Sequence, residues 1–447
     1  MPQLPKGFRE RFAKEFGDGE LLLLEDALGI PISSSLRLHP SKGFTPNLRS
    51  VPWCREGAYV DSKITFGADP LWHAGAYYVQ EPASMMVAQF IEQLGLTPRR
   101  AMDLCAAPGG KSSLLRSHLP SDCVIVANEI EGSRSRILRE NLMRWGLDET
   151  IVTSASPQQL RETGITVDFV LVDAPCSGEG MFRKEPSAVS EWSESNVLLC
   201  VSRQKEILDQ AWAMLEEGGV LIYSTCTYNR EENEGQLEYL CNKYSAELLK
   251  LKIDPFWGVW EHEEGVYRFM PHRTESEGLT IFAVRKQEDT LRSSHELRAS
   301  KVKIPFELTR IFDTGRLYQH GSLWYTLNQE GQALLAQLRS IKILSAGVPL
   351  GGEKGKNFVP HQAWVNSHKL SALIPYPSYE VNKDEALQYL KREALNIESE
   401  RGIQLITYNN IPLGFAKQVG GRVNNLYPKE MMIHNSKLTA DDIPSWN

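Results

Sequence analysis

Short apolar runs alternate with amphipathic segments along the chain from about residue 97 onward. The clearest helical pattern covers 207–215, where the apolar residues share one face, and Gly218 and Gly219 suit its C-terminal cap. Strands that alternate with helices form a parallel sheet with right-handed crossovers, so the pattern predicts an α/β domain that ends in an antiparallel hairpin. The strands are expected at 100–105, 123–127, 167–172, 220–224, 265–270 and 279–285.

Changes in residue composition and in the predicted elements divide the chain further. Residues 1–72 form a mixed segment ahead of the α/β pattern, which we place at 73–288. The stretch 287–303 is polar and charged, as linkers often are. Short predicted strands and turns that contain Gly and Pro follow it. We assign them to a middle domain at 289–372 and a final domain at 373–447.

Charge is unevenly distributed over the 447 residues. The net charge of −7 would argue against a nucleic-acid partner, because phosphate binding needs lysine and arginine. Residues 1–290, however, carry −12 and residues 291–447 carry +5. The average therefore conceals an acidic front and a mildly basic rear, and it excludes very little.

The seven cysteines form an odd, scattered set without a CxxC pair, which argues against a disulfide framework and against a structural zinc site. No apolar run is long enough to cross a bilayer. The first residues, MPQLPKGF, lack the apolar core of a targeting segment. These features predict a reducing, cytoplasmic compartment, no membrane partner and no metal.

A glycine-containing loop follows the first predicted strand. Asp103 ends the strand, and residues 105–111 read Cys-Ala-Ala-Pro-Gly-Gly-Lys, which matches neither GxxxxGK[ST] nor GxGxxG. Glu129 follows the second strand, twenty residues after Gly109, the spacing at which a carboxylate can bind ribose hydroxyls. Together they indicate a nucleoside-bearing cofactor. A plain glycine turn with a solvated glutamate is the alternative, and it is the better explanation for the two glycines alone.

Cysteines lie at the next two strand ends. Asp173-Ala-Pro-Cys176 opens a glycine-rich loop, and Ser224-Thr-Cys226 ends the following strand. Adjacent strands lie about 4.8 Å apart, so the Cys176 and Cys226 thiols are expected to converge on one ligand, and a thiolate is a strong nucleophile. The alternative for a single cysteine is a small buried hydrophobe. We expect that role for Cys54, Cys123, Cys200 and Cys241.

These motifs resemble those of the NOL1/NOP2/Sun family of S-adenosylmethionine-dependent RNA cytosine-5 methyltransferases, and within it most of all the bacterial 16S rRNA methyltransferase F group. The resemblance rests on DLCAAPGGK at 103–111, NE at 128–129, DAPCSGEG at 173–180 and STC at 224–226. It implies a Rossmann-like class I methyltransferase core, an N-terminal α+β RNA-binding segment and a PUA-like β-barrel at the end. Looser likeness extends to 75–84, 271–273 and 427–429.

The resemblance also implies a covalent mechanism for methylating cytosine C5, which is a poor nucleophile. Cys226 attacks C6 as a thiolate, Asp173 hydrogen-bonds the base near N3, and Cys176 assists release after methyl transfer. DNA cytosine-5 methyltransferases use a Pro-Cys thiol as the nucleophile, an alternative that would promote Cys176. A cytosine in structured RNA must also be turned out of its stack before a thiol can reach it.

For S-adenosylmethionine, the resemblance implies that the 105–111 loop surrounds the methionine part, with Lys111 also near the reacting groups, and that Glu129 holds the ribose. Arg134 matches a family position near the cofactor, with a helix-surface arginine as the alternative. Ser154 stands where the family often has Asn or Asp beside the adenine. The implied cofactor-binding residues are Cys105, Ala106, Ala107, Pro108, Gly109, Gly110, Lys111, Glu129, Arg134, Ser154 and Asp173, and the implied catalytic residues are Cys226, Cys176, Asp173 and Lys111.

Further expectations concern RNA. Arg37-Leu-His39 stands where relatives often read Arg-Val-Asn, in the segment expected to contact RNA. The loop 181–184, Met-Phe-Arg-Lys, is expected to meet phosphates and stack on a base, or else to be a solvated basic loop. Basic residues of the rear region are candidates for RNA contacts, with a solvated face as the alternative. They are Lys301, Lys303, Arg310, Arg316, Lys354, Lys356, Lys391 and Arg392.

The leading hypothesis is a monomeric enzyme that makes 5-methylcytosine in 16S rRNA, with the small ribosomal subunit as its partner. A second hypothesis keeps the chemistry and changes the substrate to tRNA. A third is a non-catalytic RNA-binding assembly factor, which the presence of both cysteines disfavours. A fourth, methylation of an amino group, needs an Asn-Pro-Pro-aromatic pattern that residues 173–176 do not match.

Overall fold

The computed structural model describes residues 4–61, 63–287, 304–355, 357–395, 400–420 and 422–446. From residue 288 onward the predicted linker lies outside the described residues, as do Lys301, Lys303 and Lys356. A ten-stranded sheet lies at the centre, with one four-stranded sheet before it in the chain and two formed largely by later residues. Among the described residues, no helix combines the length and apolar character needed to cross a bilayer.

The N-terminal part is a helical hairpin followed by a small antiparallel sheet of order β2-β3-β1-β4. Its two long helices form because apolar residues recur on one face of each, and that face is buried. The elements are α1 (Lys6–Phe16), α2 (Asp18–Leu28), β1 (Ser34–Leu38), β2 (Arg49–Ser50), β3 (Gly57–Val60), α3 (Pro70–His73), β4 (Tyr77–Val79) and α4 (Val87–Gln93).

The central sheet contains the predicted alternation of strands and helices. Five of its strands are parallel, in the order β9-β8-β5-β6-β7, and the direction of winding reverses between β5 and β8. Ligands of open α/β sheets bind at such a reversal, beyond the carboxyl ends of the strands. The strands are β5 (Arg100–Asp103), β6 (Val124–Asn128), β7 (Thr150–Ser154), β8 (Val167–Asp173), β9 (Leu215–Thr225), β10 (Glu247–Leu249), β11 (Trp260–Glu263), β12 (Val266–Phe269) and β13 (Leu279–Arg285), and the helices are α5 (Gly110–His118), α6 (Gly132–Trp145), α7 (Pro157–Glu162), α8 (Pro186–Glu191), α9 (Glu194–Met214) and α10 (Glu234–Tyr244).

One prediction about this sheet is wrong. Gly218 and Gly219 do not cap α9, because the helix ends at Met214 and Leu215 is already extended. Both glycines lie within β9, where Gly218 N donates a hydrogen bond to Lys286 O at 2.8 Å. Pairing of β9 with β8 therefore begins earlier in the chain than the apolar run suggested.

The rear of the chain also contributes to the central sheet. Strand β16 pairs antiparallel with β7, so that Lys342 lies opposite Ser154. Two further sheets have the orders β14-β15-β17-β18 and β19-β20-β21-β22. The elements are α11 (Phe306–Thr309), β14 (Leu317–His320), β15 (Leu323–Thr326), α12 (Gln329–Gln337), β16 (Lys342–Ala346), β17 (Val348–Lys354), β18 (Asn357–Pro360), α13 (Gln362–Asn366), β19 (Ser378–Glu380), α14 (Lys383–Leu390), β20 (Gly402–Tyr408), β21 (Ile411–Val419) and β22 (Arg422–Asn425).

A shared hydrophobic core joins these parts. One cluster of buried side chains contains Leu36 of β1, Leu138 of α6, Trp364 of α13 and Leu413 of β21. Burial of large apolar side chains contributes about 1.5–3 kcal/mol each, so the flanking segments are held firmly against the catalytic sheet. The domain boundaries given above remain a proposal.

Candidate active site

Two cysteine thiols meet at the carboxyl ends of β8 and β9. Cys176 lies in the loop after β8, Cys226 directly follows β9, and their Sγ atoms are 3.1 Å apart. The strands pair in parallel with Asp173 opposite Ser224, so the register brings both loops to the same edge of the sheet. Both thiols are partly exposed, as a thiol that reacts with a substrate must be.

Backbone hydrogen bonds hold the Cys176 loop against the end of β9. Ala174 N donates to Ser224 O and Gly180 N donates to Cys226 O, both at 2.9 Å. A Cβ atom at position 180 would lie 3.1 Å from the Cys226 carbonyl oxygen, a tight contact that favours glycine there. The contact between the thiols is therefore set by two loops that are fixed to each other.

Two buried carboxylates support these loops. Glu232 Oε2 accepts hydrogen bonds from Ser177 N at 3.0 Å and from Gln204 Nε2 at 2.7 Å. Asn229 Nδ2 bridges the carboxylates, donating to Glu232 Oε1 at 2.8 Å and to Glu179 Oε1 at 3.0 Å. Burial raises the pKa of Glu232. Because buried polar networks of this kind are costly to break, they restrict the movement of the loops.

Asp173 forms an ion pair with the lysine of the glycine-containing loop. Its Oδ2 lies 2.8 Å from Lys111 Nζ, and its Oδ1 accepts a hydrogen bond from Ser224 Oγ at 2.8 Å. Lys111 Nζ also donates to Ser84 Oγ at 3.3 Å. Burial acts to lower the pKa of Lys111, but the charge and hydrogen bond of Asp173 outweigh burial and raise it. Lys111 therefore keeps its proton beside the thiols.

The environments of the two thiols differ. The hydrogen bond with Cys226, followed by burial, raises the pKa of Cys176 well above its ordinary value. Cys176 therefore stays protonated and can donate its S–H toward Cys226 Sγ. This contact places a proton donor next to Cys226 Sγ.

The 105–111 loop curves around the end of β5 into α5. Gly109 has a φ of 112°, a left-handed conformation that favours glycine, and it precedes a first helical turn without a side-chain cap. Asp103 Oδ2 accepts a hydrogen bond from Ser112 Oγ at 2.6 Å, whereas the buried Asp103 Oδ1 has no donor among the described residues. Burial raises the pKa of Asp103 to about 7. It also raises the pKa of the Cys105 thiol, so Cys105 is a poor nucleophile.

Glu129 directly follows β6 and is only 3% exposed, so it is not a solvated glutamate. Its Oε1 accepts a hydrogen bond from Glu131 N at 2.9 Å, and its Oε2 is 3.6 Å from Arg134 Nη1. Arg134 Nη2 donates to Ala107 O at 3.0 Å, which ties the end of β6 to the loop after β5. Arg134 is therefore placed beside the loop, while Ser154 ends the next strand, half-buried.

These groups suit a cationic ligand that carries a nucleoside. Asp103, Glu129 and Asp173 provide carboxylates at three neighbouring strand ends, and the orphaned Asp103 Oδ1 can accept a hydrogen bond from an ammonium group. The uncapped first turn of α5 offers N–H groups to a carboxylate. S-adenosylmethionine carries a sulfonium and an ammonium that can pair with such carboxylates, a carboxylate that can accept from such N–H groups, and a ribose.

One expectation about an RNA-contacting side chain is wrong. Phe182 cannot stack on a base, because it is 1% exposed and packs edge-on against Phe8 of α1. Arg37 is fully buried and donates to Gln80 Oε1 at 2.8 Å and to Ser113 Oγ at 2.5 Å. Both side chains join the N-terminal part to the catalytic sheet.

Four residues of the site were missed in the sequence: Ser84, Ser224, Glu179 and Glu232. Ser224 and Glu179 belong to the quoted motifs, yet their partners could not be read from spacing. Ser84 and Glu232 lie outside those four motifs, in an N-terminal segment and in a polar stretch after β9. A buried polar role gives no signal in the sequence, because the same residue types dominate solvated loops.

Three parts of the chain match known family models. The family model described as 16S rRNA methyltransferase RsmB/F matches residues 96–285, the N-terminal domain of 16S rRNA methyltransferase RsmF matches 4–82, and the methyltransferase RsmF PUA domain matches 376–433. Ribosomal RNA small subunit methyltransferase F of Escherichia coli O9:H4 (strain HS) is 28% identical, covering 93% of this chain and 91% of the relative. The protein of that name from Klebsiella pneumoniae (strain 342) is 29% identical over 94% and 91%.

Solved structures agree with this. A methyltransferase homologue from Pyrococcus horikoshii is 27% identical, with a TM-score of 0.55, over 63% of this chain and 95% of its own. NSun6 from the same organism, solved with SFG, shares the fold at 22% identity and a TM-score of 0.54, over 64% and 100%. The predicted Rossmann-like core and PUA domain are confirmed, and S-adenosylmethionine is the methyl donor. The chain belongs to the RsmB/F family of methyltransferases.

Proposed function

We propose that this enzyme methylates C5 of a cytosine in 16S rRNA through a covalent bond between Cys226 Sγ and cytosine C6. The 3.1 Å contact between the Cys226 and Cys176 thiols, beside the Asp173–Lys111 ion pair, carries the proposal. A half-buried thiol pair next to a carboxylate provides a nucleophile, a proton donor and an acceptor for the same base. The names of the relatives support 16S rRNA as the substrate.

In the first step, Cys226 Sγ adds to C6 and a C6–S bond forms. The π electron pair of the C5–C6 bond moves to C4–C5, the C4–N3 π pair moves to N3, and N3 gains the proton that the Cys226 thiol loses. Asp173, which is ion-paired with Lys111, lies where its carboxylate can accept a hydrogen bond from N3–H. The addition turns C5 into an enamine carbon, which is a much better nucleophile than C5 of free cytosine.

In the second step, C5 takes the methyl group that S-adenosylmethionine supplies when bound. The C5 proton then leaves to a water molecule, and the electron pair of the C5–H bond re-forms the C5–C6 double bond and expels Cys226 Sγ as a thiolate. Cys176, 3.1 Å from Cys226 Sγ, is placed to assist this release through its effect on that water. The N3 proton returns to the thiolate, so that the enzyme regains its starting state.

RNA containing 5-fluorocytosine tests the roles of the two cysteines. Fluorine at C5 cannot leave as a proton does, so the enzyme should remain bonded to the RNA and migrate as an adduct in a denaturing gel. We expect Cys226→Ser to form no adduct and Cys176→Ser to accumulate it. An adduct that persists in Cys226→Ser but is lost in Cys176→Ser would reverse the assignment.

Bisulfite sequencing of rRNA and tRNA from a deletion strain tests the substrate. We expect a 5-methylcytosine in 16S rRNA to disappear and to return when the wild-type gene, but not Cys226→Ser, is restored. A tRNA mark lost while 16S rRNA stays unchanged would replace rRNA by tRNA as the substrate and leave the chemistry in place.

A further inference from the structure

An aromatic cleft lies between the N-terminal part and the C-terminal end of α6. It has a volume of about 290 Å³, near the lower limit for pockets that hold a small organic ligand. Five aromatic residues line it, and Tyr77 and Trp145 among them are 1% exposed, so the side chains available to a ligand are those of Phe66, Trp72 and Tyr78. None of these side chains has a role in the methyl-transfer chemistry proposed above.

The floor of the cleft carries two unused hydrogen-bond donors. Arg144 Nε and Trp145 Nε1 are buried, and neither has an acceptor among the described residues. The Arg144 guanidinium lies 3.9 Å from the centre of the Trp72 ring, and Arg144 Nη1 donates to Asn141 Oδ1 at 2.9 Å. Buried donors without an acceptor are costly, so a ligand that accepts hydrogen bonds here would relieve that cost.

One wall of the cleft is the back of the cofactor loop. Pro108, whose side chain is exposed, lines the cleft, and its carbonyl oxygen accepts hydrogen bonds from Asn141 Nδ2 at 2.9 Å and Tyr78 OH at 3.2 Å. On the other side of Trp72 and Arg144 a second cavity, of about 440 Å³, reaches residues 430–435. The two cavities share Trp72 and Arg144 in their linings, so the cleft lies next to a cavity lined by residues 430–435.

A planar ring with acceptor atoms on its edge fits these walls. Flat aromatic side chains stack on nucleobases of any sequence, and arginine adds a cation–π contribution. Carbonyl oxygens and ring nitrogens of a base can accept from Arg144 Nε and Trp145 Nε1, whereas a second cation would be repelled by Arg144. A bare phosphate would use the donors and leave the aromatic walls uncovered.

We propose that this cleft binds one unpaired base of the RNA substrate, away from the cytosine that is methylated. The inference rests on the proposed function in one respect, namely that the substrate is RNA. The second cavity, beyond Trp72, can hold neighbouring nucleotides next to the PUA domain. This favours a base within a strand over a free nucleotide. The cleft then helps to position the RNA while Cys226 carries out the chemistry.

Ultraviolet cross-linking of the wild-type enzyme to 16S rRNA, followed by mass spectrometry, tests the proposal without any variant. We expect a nucleotide attached within the tryptic peptide 64–99, at Trp72 or Tyr78. Methylation of 16S rRNA without a cross-link in this peptide would overturn the inference and leave the proposed function intact. Absence of both RNA binding and methylation would overturn the proposed function and the inference together.

Two variants give a quantitative check. Trp72→Leu removes the stacking face, and Arg144→Lys removes the Nε donor while keeping the charge. Each should weaken binding to 16S rRNA about tenfold, as expected for the loss of one stacked base. Arg136→Lys is the matched control, because Arg136 is exposed on the same helix outside the cleft. Folded variants that bind as tightly as Arg136→Lys would contradict the inference.

Discussion

The catalytic crevice and a buried cluster of His39, Trp145 and His368 are both polar regions of the folded protein, but they are built in different ways. The crevice places Cys176, Cys226 and Asp173 at the ends of two adjacent strands. We use the name histidine joint for the cluster of His39, Trp145 and His368, in which the two histidine Nε2 atoms are 3.0 Å apart. The crevice is open to a substrate, whereas the joint is closed.

This difference shows what each region is for. The crevice keeps its protons at defined atoms, with Lys111 protonated and Cys176 as a thiol. The joint excludes charge: burial lowers the pKa of His39 well below its ordinary value and lowers the pKa of His368 to about 4. Polar groups in the crevice are those to which we assign the proposed chemistry, and those in the joint attach the rear of the chain to the central sheet.

Neighbouring charges reinforce the neutral state of the joint. Asp148 accepts hydrogen bonds from Ser367 Oγ at 2.6 Å and from His368 N at 2.8 Å, and its charge alone would raise the pKa of His368. Arg116, Lys42 and Arg37 act in the opposite direction and, with burial, prevail. The joint therefore depends on histidines that are unprotonated.

The largest effect should come from the crevice. Asp173→Asn removes the charge that pairs with Lys111 and the acceptor proposed for N3–H, so methyl transfer to 16S rRNA should slow by about a thousandfold. Single-turnover transfer of a labelled methyl group measures it. Asp168→Asn, at the other end of the same strand, should keep the rate within about twofold. A rate for Asp173→Asn within tenfold of wild type would remove Asp173 from the mechanism.

Acid should weaken the joint. A histidine with a lowered folded-state pKa contributes its full stability above its unfolded pKa of 6.5 and loses it as the pH falls toward the folded value of about 4. Between pH 7 and pH 5, the free energy of unfolding of the wild type should fall by about 2 kcal/mol more than that of His368→Gln. Asp103 and Glu15, whose pKa values are raised to about 7, act in the opposite sense in both proteins and cancel.

Denaturant unfolding at the two pH values measures this difference. Equal losses in wild type and His368→Gln would mean that the joint does not titrate with the fold. Methyl-transfer activity at pH 7 should change little in His368→Gln, because glutamine can still hydrogen-bond at this position and the joint is outside the crevice.

A substitution in the buried carboxylate network beneath the crevice should have a smaller effect. Glu232→Gln leaves one acceptor oxygen, so if that oxygen accepts from Ser177 N and Gln204 Nε2, the amide nitrogen faces the donor Asn229 Nδ2 and that hydrogen bond is lost. As Glu232 is a positioning residue, we expect about a tenfold loss in kcat and a changed pH profile for alkylation of Cys226 by iodoacetamide. A lower melting temperature with an unchanged alkylation profile would indicate a structural role alone.

The smallest effect should come from a thiol outside the crevice. Cys54 is buried near Glu56 and His118, and burial raises its pKa to about 11. Cys54→Ala should lower the free energy of unfolding by about 1 kcal/mol and leave methyl transfer unchanged. A loss of activity at full stability would show that the distinction between catalytic and structural thiols has been drawn in the wrong place.

The sequence by itself determined the crevice. Parallel strands end at one edge of the sheet, so Asp103, Glu129, Asp173 and Cys226 were expected together once the strands were recognised. The strand pattern also predicted four of the five parallel strands, but not β7 (Thr150–Ser154). Because the parallel strands end at the same edge of the sheet, residues that follow them lie close together. Short motifs at strand ends were therefore sufficient to predict the crevice.

Only the tertiary structure decided the remainder. It paired β16 with β7 across the predicted linker, buried Arg37 and Phe182, and brought His39 against His368, 329 positions later in the chain. It also showed which of the polar residues 229–233 lie under the thiols. No local pattern encodes such contacts, because a residue's burial depends on which distant surface covers it, and the free energy of that packing is a property of both surfaces together.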